Sequence, residues 1–405
     1  MQFHETTLPA LARHFLEGIG LGWKQRNKLL ANRQARFSRL AEHDDRIVAH
    51  IAGLRHVNGF DRQGAFGESN DEIISREIFS LLIRACETSD ADGFMACAGL
   101  AEAMPHLHGA FLAAMDWVSP VHLHDVMKDW RIDSRLRRLT QLRLLADPRF
   151  DELNLTIDPP QTQAELRLLL RAARLRTRPD WVQETFDERI GSLDDDLQQQ
   201  LCAHYLLFDS RCRKRVLQYI RERIASATAG MEYWTTLLAS EPQGLGESLL
   251  RNLLELTGKT DRRYLVTLGW LGQSRHMPAL IDALDSAEAR IAGTAISMIT
   301  GSIPEEDGWQ VTAPENSAGR LPLPDKARFV SWWEENRHRF DSGVRYLFGC
   351  KREPRAILEL LKETVLAWRP SAAWMLQRMN PACALDTEAP AFRQRRRLVN
   401  LESMI

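Results

Sequence analysis

The chain reads as an all-α protein: an α-solenoid of stacked helix pairs with helical N- and C-terminal caps. Three observations predict this. Apolar residues recur at helical spacing, with Met277, Leu280, Ile281 and Leu284 at i, i+3, i+4 and i+7 and Ile291, Ala295, Met298 and Ile299 at i, i+4, i+7 and i+8. The turns between these stretches are very short, and a short helix pair cannot bury its apolar stripe alone, so such units stack on like neighbours. No stretch sustains the period-two alternation of a strand.

Composition sets the bounds. Lysine and arginine total 53 and aspartate and glutamate 54 in 405 residues, a formal net charge of −1. That balance argues against a protein devoted to coating nucleic acid or an anionic membrane. Arginine far outnumbers lysine, which suits ion pairs and interfaces. The six cysteines are scattered and none forms a CxxC, so reduced and mostly buried thiols in a cytoplasmic protein are expected. MQFHETTLPALARHF lacks a basic region followed by an apolar core, so no signal peptide is expected, and no apolar run is long enough for a membrane span.

In chain order, the first 35 residues carry a weak helical pattern broken by Gly18, Gly20 and Gly22. Arg39 to Arg55 is clearer, with Leu40, Ile47, Ile51 and Leu54 on one face and Asp44 and Asp45 on the other. Gly59 to Ser69 reads as a turn, Glu72–Cys86 and Gly93–Met104 as a helix pair, and Phe111–Val118 as the start of another. Pro105 and Pro120 fall at segment boundaries, where a missing N–H costs least. From Val121 the helices become basic. Asn154 to Thr162 is a connector; Trp181–Ile190, Asp195–Phe208 and Cys212–Ala227 continue the helical pattern.

Asp261 to Gly301 is the clearest repeat core. Asp285 with Glu288 three residues on suggests an N-cap and capping box, and Gly301 a C-terminal stop. Gly269 and Gly293 fall inside or at the end of helices, where close approach of stacked helices would compensate for their poor propensity. Between Ser302 and Pro324 the pattern stops for a long polar loop with four prolines, a length that tends to be functional. Helices resume at Lys326–Arg339 and close with 354–368 and 371–379. The organisation expected is an N-terminal helical region (1–90), a repeat solenoid (91–301), the long loop (302–324) and a C-terminal helical cap (325–405).

Motifs that carry chemistry are sparse. His106-Leu-His108 and His122-Leu-His124 resemble metal pairs, but an i, i+2 pair on a helix points to different sides, so they read as helix-end histidines. Asp194-Asp195-Asp196 precedes a helical stretch and reads as an N-terminal cap. There is no GxSxG, no Gly-rich phosphate loop and no HExxH. No cofactor and no metal is expected, and no catalytic residue is assigned. The basic bands Arg131–Arg143 and Arg167–Arg178, with Trp130 and Trp181 nearby, interleave leucine with arginine at helical spacing. They read first as a solvated or ion-paired face, then as a surface for an acidic protein, and last as a phosphate track. Trp333, Trp368 and Trp374 fit core positions. Trp309, alone in a polar loop, either folds back into the core or anchors a partner.

The Leu-Gly-Trp-Leu-Gly turn followed by Met-Pro-Ala-Leu-Ile-Asp-Ala-Leu resembles the HEAT-like repeat of the phycobilisome-lyase type. LAEHDDRIVAHIAGLR, AGTAISMITG, LPLPDKARFVSWWEENRHRF, RYLFG and TEAPAFRQRRRL together resemble an uncharacterised bacterial family of HEAT-repeat proteins often encoded beside type VI secretion genes. Residues 120–260 match the repeat poorly. The family brings no activity with it. Its genomic company implies a non-catalytic, cytoplasmic immunity protein that occludes a toxic effector, or an adaptor or chaperone that delivers one to the secretion spike. The contrasting class is an enzyme, lyase-like or a base-excision protein of the HEAT-like glycosylase kind. The partner expected is a secreted toxin or a secretion component, with neither membrane nor nucleic acid favoured. The residues expected to line its site are Glu305, Glu306, Asp307, Trp309, Trp332 and Arg337, with Arg138 and Arg174 on the basic helices.

Overall fold

In a computed structural model, residues 8–32, 35–57, 71–127, 130, 134–147, 160–176, 190–208, 211–225, 234, 237–238, 241, 247–248, 251, 255, 258–311 and 323–405 are described. The Gly59–Ser69 turn, the Asn154–Pro159 part of the connector, residues 181–189 of the Trp181 helix, Arg131 and Arg178 lie outside them. The described chain is mostly helical, with seventeen α-helices arranged in packed pairs. It divides into two units: Met1–Glu188 with Lys362–Pro370 and Ala384–Asn400, and Arg189–Leu361 with Ser371–Cys383 and Leu401–Ile405.

Unit 1 holds α1 (Leu8–Ala31), α2 (Phe37–Leu54), α3 (Asp71–Glu87), α4 (Ala91–Ala103), α5 (His108–Ala114), α6 (Pro120–Met127), α7 (Arg135–Leu145) and α8 (Gln163–Arg176). The glycines expected to break the first helix do not. Side chains at 18, 20 and 22 would meet the His50 ring, Arg76 and Ile47, so their absence lets α1 run unbroken while its neighbours approach closely. The core is aromatic. Trp23 stacks on Phe79 at 4.8 Å, and Phe94, Phe111 and Trp130 form a triangle with centroids 5.3–5.9 Å apart.

The closing motif of the sequence folds onto the opening one within this unit. Arg26 and Asp44 are both buried. Arg26 Nε donates to both carboxylate oxygens of Asp44 (3.0 and 3.2 Å), and its Nη2 donates to the Glu388 and Ala389 carbonyls. Arg369, also buried, lies 3.6 Å from the Phe37 ring centroid and donates to Gln394 Oε1. Strand-like bonds join Ala35–Phe37 to Thr364–Leu366.

Unit 2 holds α9 (Asp195–Phe208), α10 (Arg213–Ala225), α11 (Arg262–Leu271), α12 (Met277–Ala283), α13 (Ala289–Thr300), α14 (Lys326–Asn336), most of α15 (Pro354–Glu363) and most of α16 (Arg369–Met379). The final helix α17 (Ala391–Glu402) belongs mainly to unit 1. Asp194 caps α9 as expected, accepting from Leu197 N at 2.9 Å. The capping box at Asp285 is corrected. Helix α13 starts only at Ala289, Ser286 Oγ accepts from Glu288 N, and Asp285 pairs instead with Lys326 at 2.5 Å.

Helices α11 and α13 meet where Gly269 faces Ala295: a Cβ there would sit 3.0 Å from Ala295 Cα. Both helices end on left-handed glycines, Gly272 (φ 70°) and Gly301 (φ 72°). A two-residue hairpin, β1 (Tyr346–Leu347) and β2 (Cys350–Lys351), docks on those ends. Tyr346 N donates to Gly272 O at 2.7 Å, Phe348 N to Met298 O at 2.5 Å and Gly349 N to Ile299 O at 3.1 Å. The hairpin therefore satisfies two carbonyls at the C-terminus of α13, among the groups a helix leaves unpaired.

All six cysteines are free thiols, four of them buried, and burial raises the pKa of Cys86, Cys202 and Cys350. Among the described residues no helix is long and apolar enough to cross a membrane.

Candidate functional site

The base of the long loop is built from Ser302 outward. After the Gly301 stop, residues 304–308 make a turn that brings Asp307 back to Ser302. Asp307 Oδ2 accepts from Ser302 Oγ and from Ile303 N, each at 2.7 Å. The same Ser302 Oγ accepts from Trp309 Nε1 at 2.7 Å. The indole is fully buried, 4.9 Å from the Phe329 ring of α14 and close over Gly293. Trp309 thus takes the inward alternative, and the expectation that it anchors a partner is corrected: its polar edge is satisfied and its faces are covered. Gly293 makes room for Trp309 and Pro324, not for a stacked helix.

Beyond Trp309 the loop pairs with its own far end. Val311 N donates to Leu323 O at 2.9 Å, Asp325 N donates to Trp309 O at 2.6 Å, and Gln310 bridges Pro324. Asp325 then caps α14 through Arg328 N at 3.1 Å. This leaves Val311 and Leu323 exposed at 40% and 37%.

Helix α14 is buried along its length only at Phe329. Trp332 stacks on Phe329 at 5.7 Å and Trp333 on Phe340 at 5.6 Å, and both indoles stay half-exposed. Glu306 and Asp307 are exposed, and Arg328 Nη1 stands 3.5 Å from the Gly308 carbonyl. Glu305 is half-buried. Arg337 is exposed and pairs with Glu334 one turn back at 3.2 Å, an arrangement that contributes little to stability.

Glu306, Asp307, Val311, Leu323, Arg328, Trp332 and Trp333 are thus the exposed or half-exposed positions of this loop base and helix. Of the residues expected at a site, Glu305, Glu306, Asp307, Trp332 and Arg337 lie on this loop and helix; Arg138 and Arg174 belong to the other unit. Val311, Leu323 and Arg328 were not expected. Their signal was faint, because a two-residue pairing across a long loop leaves no periodicity to read.

The basic helices of unit 1 are committed to ion pairs. Arg138 Nε donates to buried Glu165 at 2.8 Å. Arg143 and Arg393 pair with Asp116, Arg393 also with Asp147, and Arg171 with Asp386. Arg174 is half-buried on α8. Histidines of the HxH motifs sit at helix ends or split apart: His122 Nδ1 is 3.3 Å from Glu87, while His124 is exposed. Among the described residues no three histidine, cysteine or acidic side chains gather as a metal site would require. Trp333, Trp368 and Trp374, expected in the core, are half-exposed; among the described residues the fully buried tryptophans are Trp130, Trp234 and Trp309.

No protein-family model matches the chain, and no characterised protein or solved structure matches it either.

Proposed function

We propose that this protein is a non-catalytic binding scaffold whose helix pairs stack as a HEAT-like solenoid, and that it acts as an immunity protein for a type VI effector. The observation that carries the binding reading is the uncovered face of α14. One helix keeps a single buried residue yet presents two half-exposed tryptophans, and the neighbouring loop base adds exposed Val311 and Leu323. Aromatic and aliphatic groups rimmed by charge form the usual make-up of a protein interface, whose binding energy concentrates in tryptophan and arginine. Glu306 and Asp307, exposed on the loop base, suit a basic partner, steering its approach. The effector assignment rests on the resemblance of the quoted motifs.

The ion-paired arginines of α7 and α8 support a protein-binding reading over a nucleic-acid one. A phosphate track needs cationic groups held for phosphate, and Arg138, Arg143 and Arg171 are held by carboxylates instead.

The test is co-expression with the effector encoded beside this gene. Wild type should abolish toxicity and co-purify with the effector. Trp332→Ala and Val311→Asp should each lose protection at an unchanged melting temperature. Co-purification with undiminished toxicity would instead make the protein an adaptor, and full protection by both variants would move the site off this face.

A further inference from the structure

Helix α14 carries a charge pattern that complements its own reverse. Its outward stripe runs from Arg328 through Ser331 and Trp332 to Glu335, at i, i+3, i+4 and i+7, so these side chains follow one another along one face. Arg328, Ser331 and Glu335 are exposed and Trp332 is half-exposed. The arginine and the glutamate close the two ends of the stripe, about 10 Å apart along the helix axis. At two turns they are too far apart to pair with each other on one helix.

Neither charge is firmly engaged. The Arg328 side chain is 61% exposed, and its carboxylate partner is Asp325, one turn back at 3.4 Å, a surface contact of small worth. Glu335 makes no ion pair among the described residues; the adjacent Glu334 takes Arg337 instead.

A second copy laid antiparallel on this stripe, with a two-fold axis between Ser331 and Trp332, sets Arg328 of each copy against Glu335 of the other. The same axis brings the two Trp332 rings together on one side. On the other side it brings the two small Ser331 side chains, which lets the helices approach closely. One patch thus serves both copies, as a two-fold interface requires. A parallel arrangement would oppose arginine to arginine and glutamate to glutamate, so the charges select the antiparallel one. Lys326 and Arg337 fall nearly half a turn away from the stripe and are tied to Asp285 and Glu334.

We propose that α14 is a self-association face, through which two copies of this chain pair antiparallel when no other partner is bound. The pairing covers an indole that is otherwise left partly in water. One 11-residue helix per copy is a small interface, so the dimer should be reversible. The proposal does not rest on the effector reading, although it uses the same face; an effector docking there has to displace the second copy.

The full chain is followed by sedimentation equilibrium over a concentration series, with no effector present. A monomer–dimer equilibrium is expected. The two-fold axis counts each substitution twice, so Arg328→Glu turns two attractive contacts into two repulsive ones and should weaken the dimer about tenfold or more. Glu335→Arg should do the same. Both changes suit the helix dipole, with an acid in the first turn and a base in the last, so neither should cost folding. Mixed in equal amounts, the two variants should associate more tightly than either does alone, since each then meets its opposite. Trp332→Ala should also weaken the dimer, whereas Val121→Ala, at an exposed apolar residue of α6, should not. A wild type that stays monomeric throughout, a dimer indifferent to both charge reversals, or a mixture no tighter than the separate variants overturns the proposal. None of these outcomes depends on effector binding, so the proposed function stands or falls by its own experiment.

Discussion

The Asp44 carboxylate accepts a hydrogen bond from the backbone N–H of Ala391 at 2.7 Å, 347 positions along the chain. Ala391 is the first residue of α17, so its N–H is one of the donors a helix cannot satisfy within itself. Asp44 therefore caps the last helix from the second while holding buried Arg26. Removing one partner of a buried pair strands the other's charge, at a cost of about 3–5 kcal/mol. Asp44→Ala should lose stability on that scale in chemical denaturation, and Arg26→Met with Asp44→Ala should lose less than the two single changes summed. A single variant within about 1 kcal/mol of wild type would show that the pair is not a clamp.

Trp309 should behave as a core residue. Its indole is fully buried against Phe329 and hydrogen-bonded to Ser302. Trp309→Ala should destabilise by about 3–5 kcal/mol. Partner binding, measured well below the variant's melting temperature, should persist. Lost binding at full stability would restore Trp309 as an anchor.

The two glycines within α11 and α13 should respond differently. A Cβ at Gly269 meets backbone, Ala295 Cα at 3.0 Å, whereas one at Gly293 meets the edge of Pro324 at 3.2 Å. Gly269→Ala should destabilise despite the roughly 1 kcal/mol of helix propensity it gains. Gly293→Ala should be near neutral. Gly293→Leu should lose about 1–3 kcal/mol by overpacking. Thermal melts of the three variants decide it, and equal melting temperatures would contradict the packing described.

The hairpin turn packs its backbone closely against the end of α13. Phe348 (φ 51°) and Gly349 (φ 80°) are both left-handed, and a Cβ on Gly349 would sit 2.6 Å from Thr300 O. Left-handed backbone costs an L-residue roughly 1–2 kcal/mol before any clash is counted. Gly349→Ala should lose more than that in chemical denaturation. A variant as stable as wild type would contradict the close packing of the hairpin on α13.

Acid should weaken the fold through histidines. Burial lowers His50, His108 and His276 from the usual 6.5, and at His50 the like charge of His14 adds to it. A lowered histidine takes its proton less readily folded than unfolded. Its stabilisation is therefore complete above 6.5 and is lost as the pH falls from there toward the folded values. The melting temperature should drop between about pH 7 and about pH 5.5, and changing the three histidines to glutamine should shrink that drop. His50 and His108 keep much of their water, so His276 should account for the larger share. An unchanged pH profile in the triple variant would assign the drop to other groups.

The sequence by itself determined the helical class, because a 3.6-residue apolar repeat is a property of each segment alone. It also placed the Asp194 cap and the Gly301 stop, which depend on the residues immediately around them. What lies across the chain was decided only by the tertiary structure. Asp44 looks in sequence like one of two acids on a solvated face, and becomes a buried clamp because α17 begins beside it. Glycines at 18, 20 and 22 look like breakers in isolation, and serve as clearances once α2 and α3 pack against them. Trp309 takes the inward one of its two alternatives and Trp333 leaves its expected core place, because burial depends on what covers a side chain, and a loop folding back over Gly293 leaves no periodic trace. Arg345 and Arg352 become neighbours only when a two-residue turn folds the chain between them, since ladder pairing is set by register and not by composition.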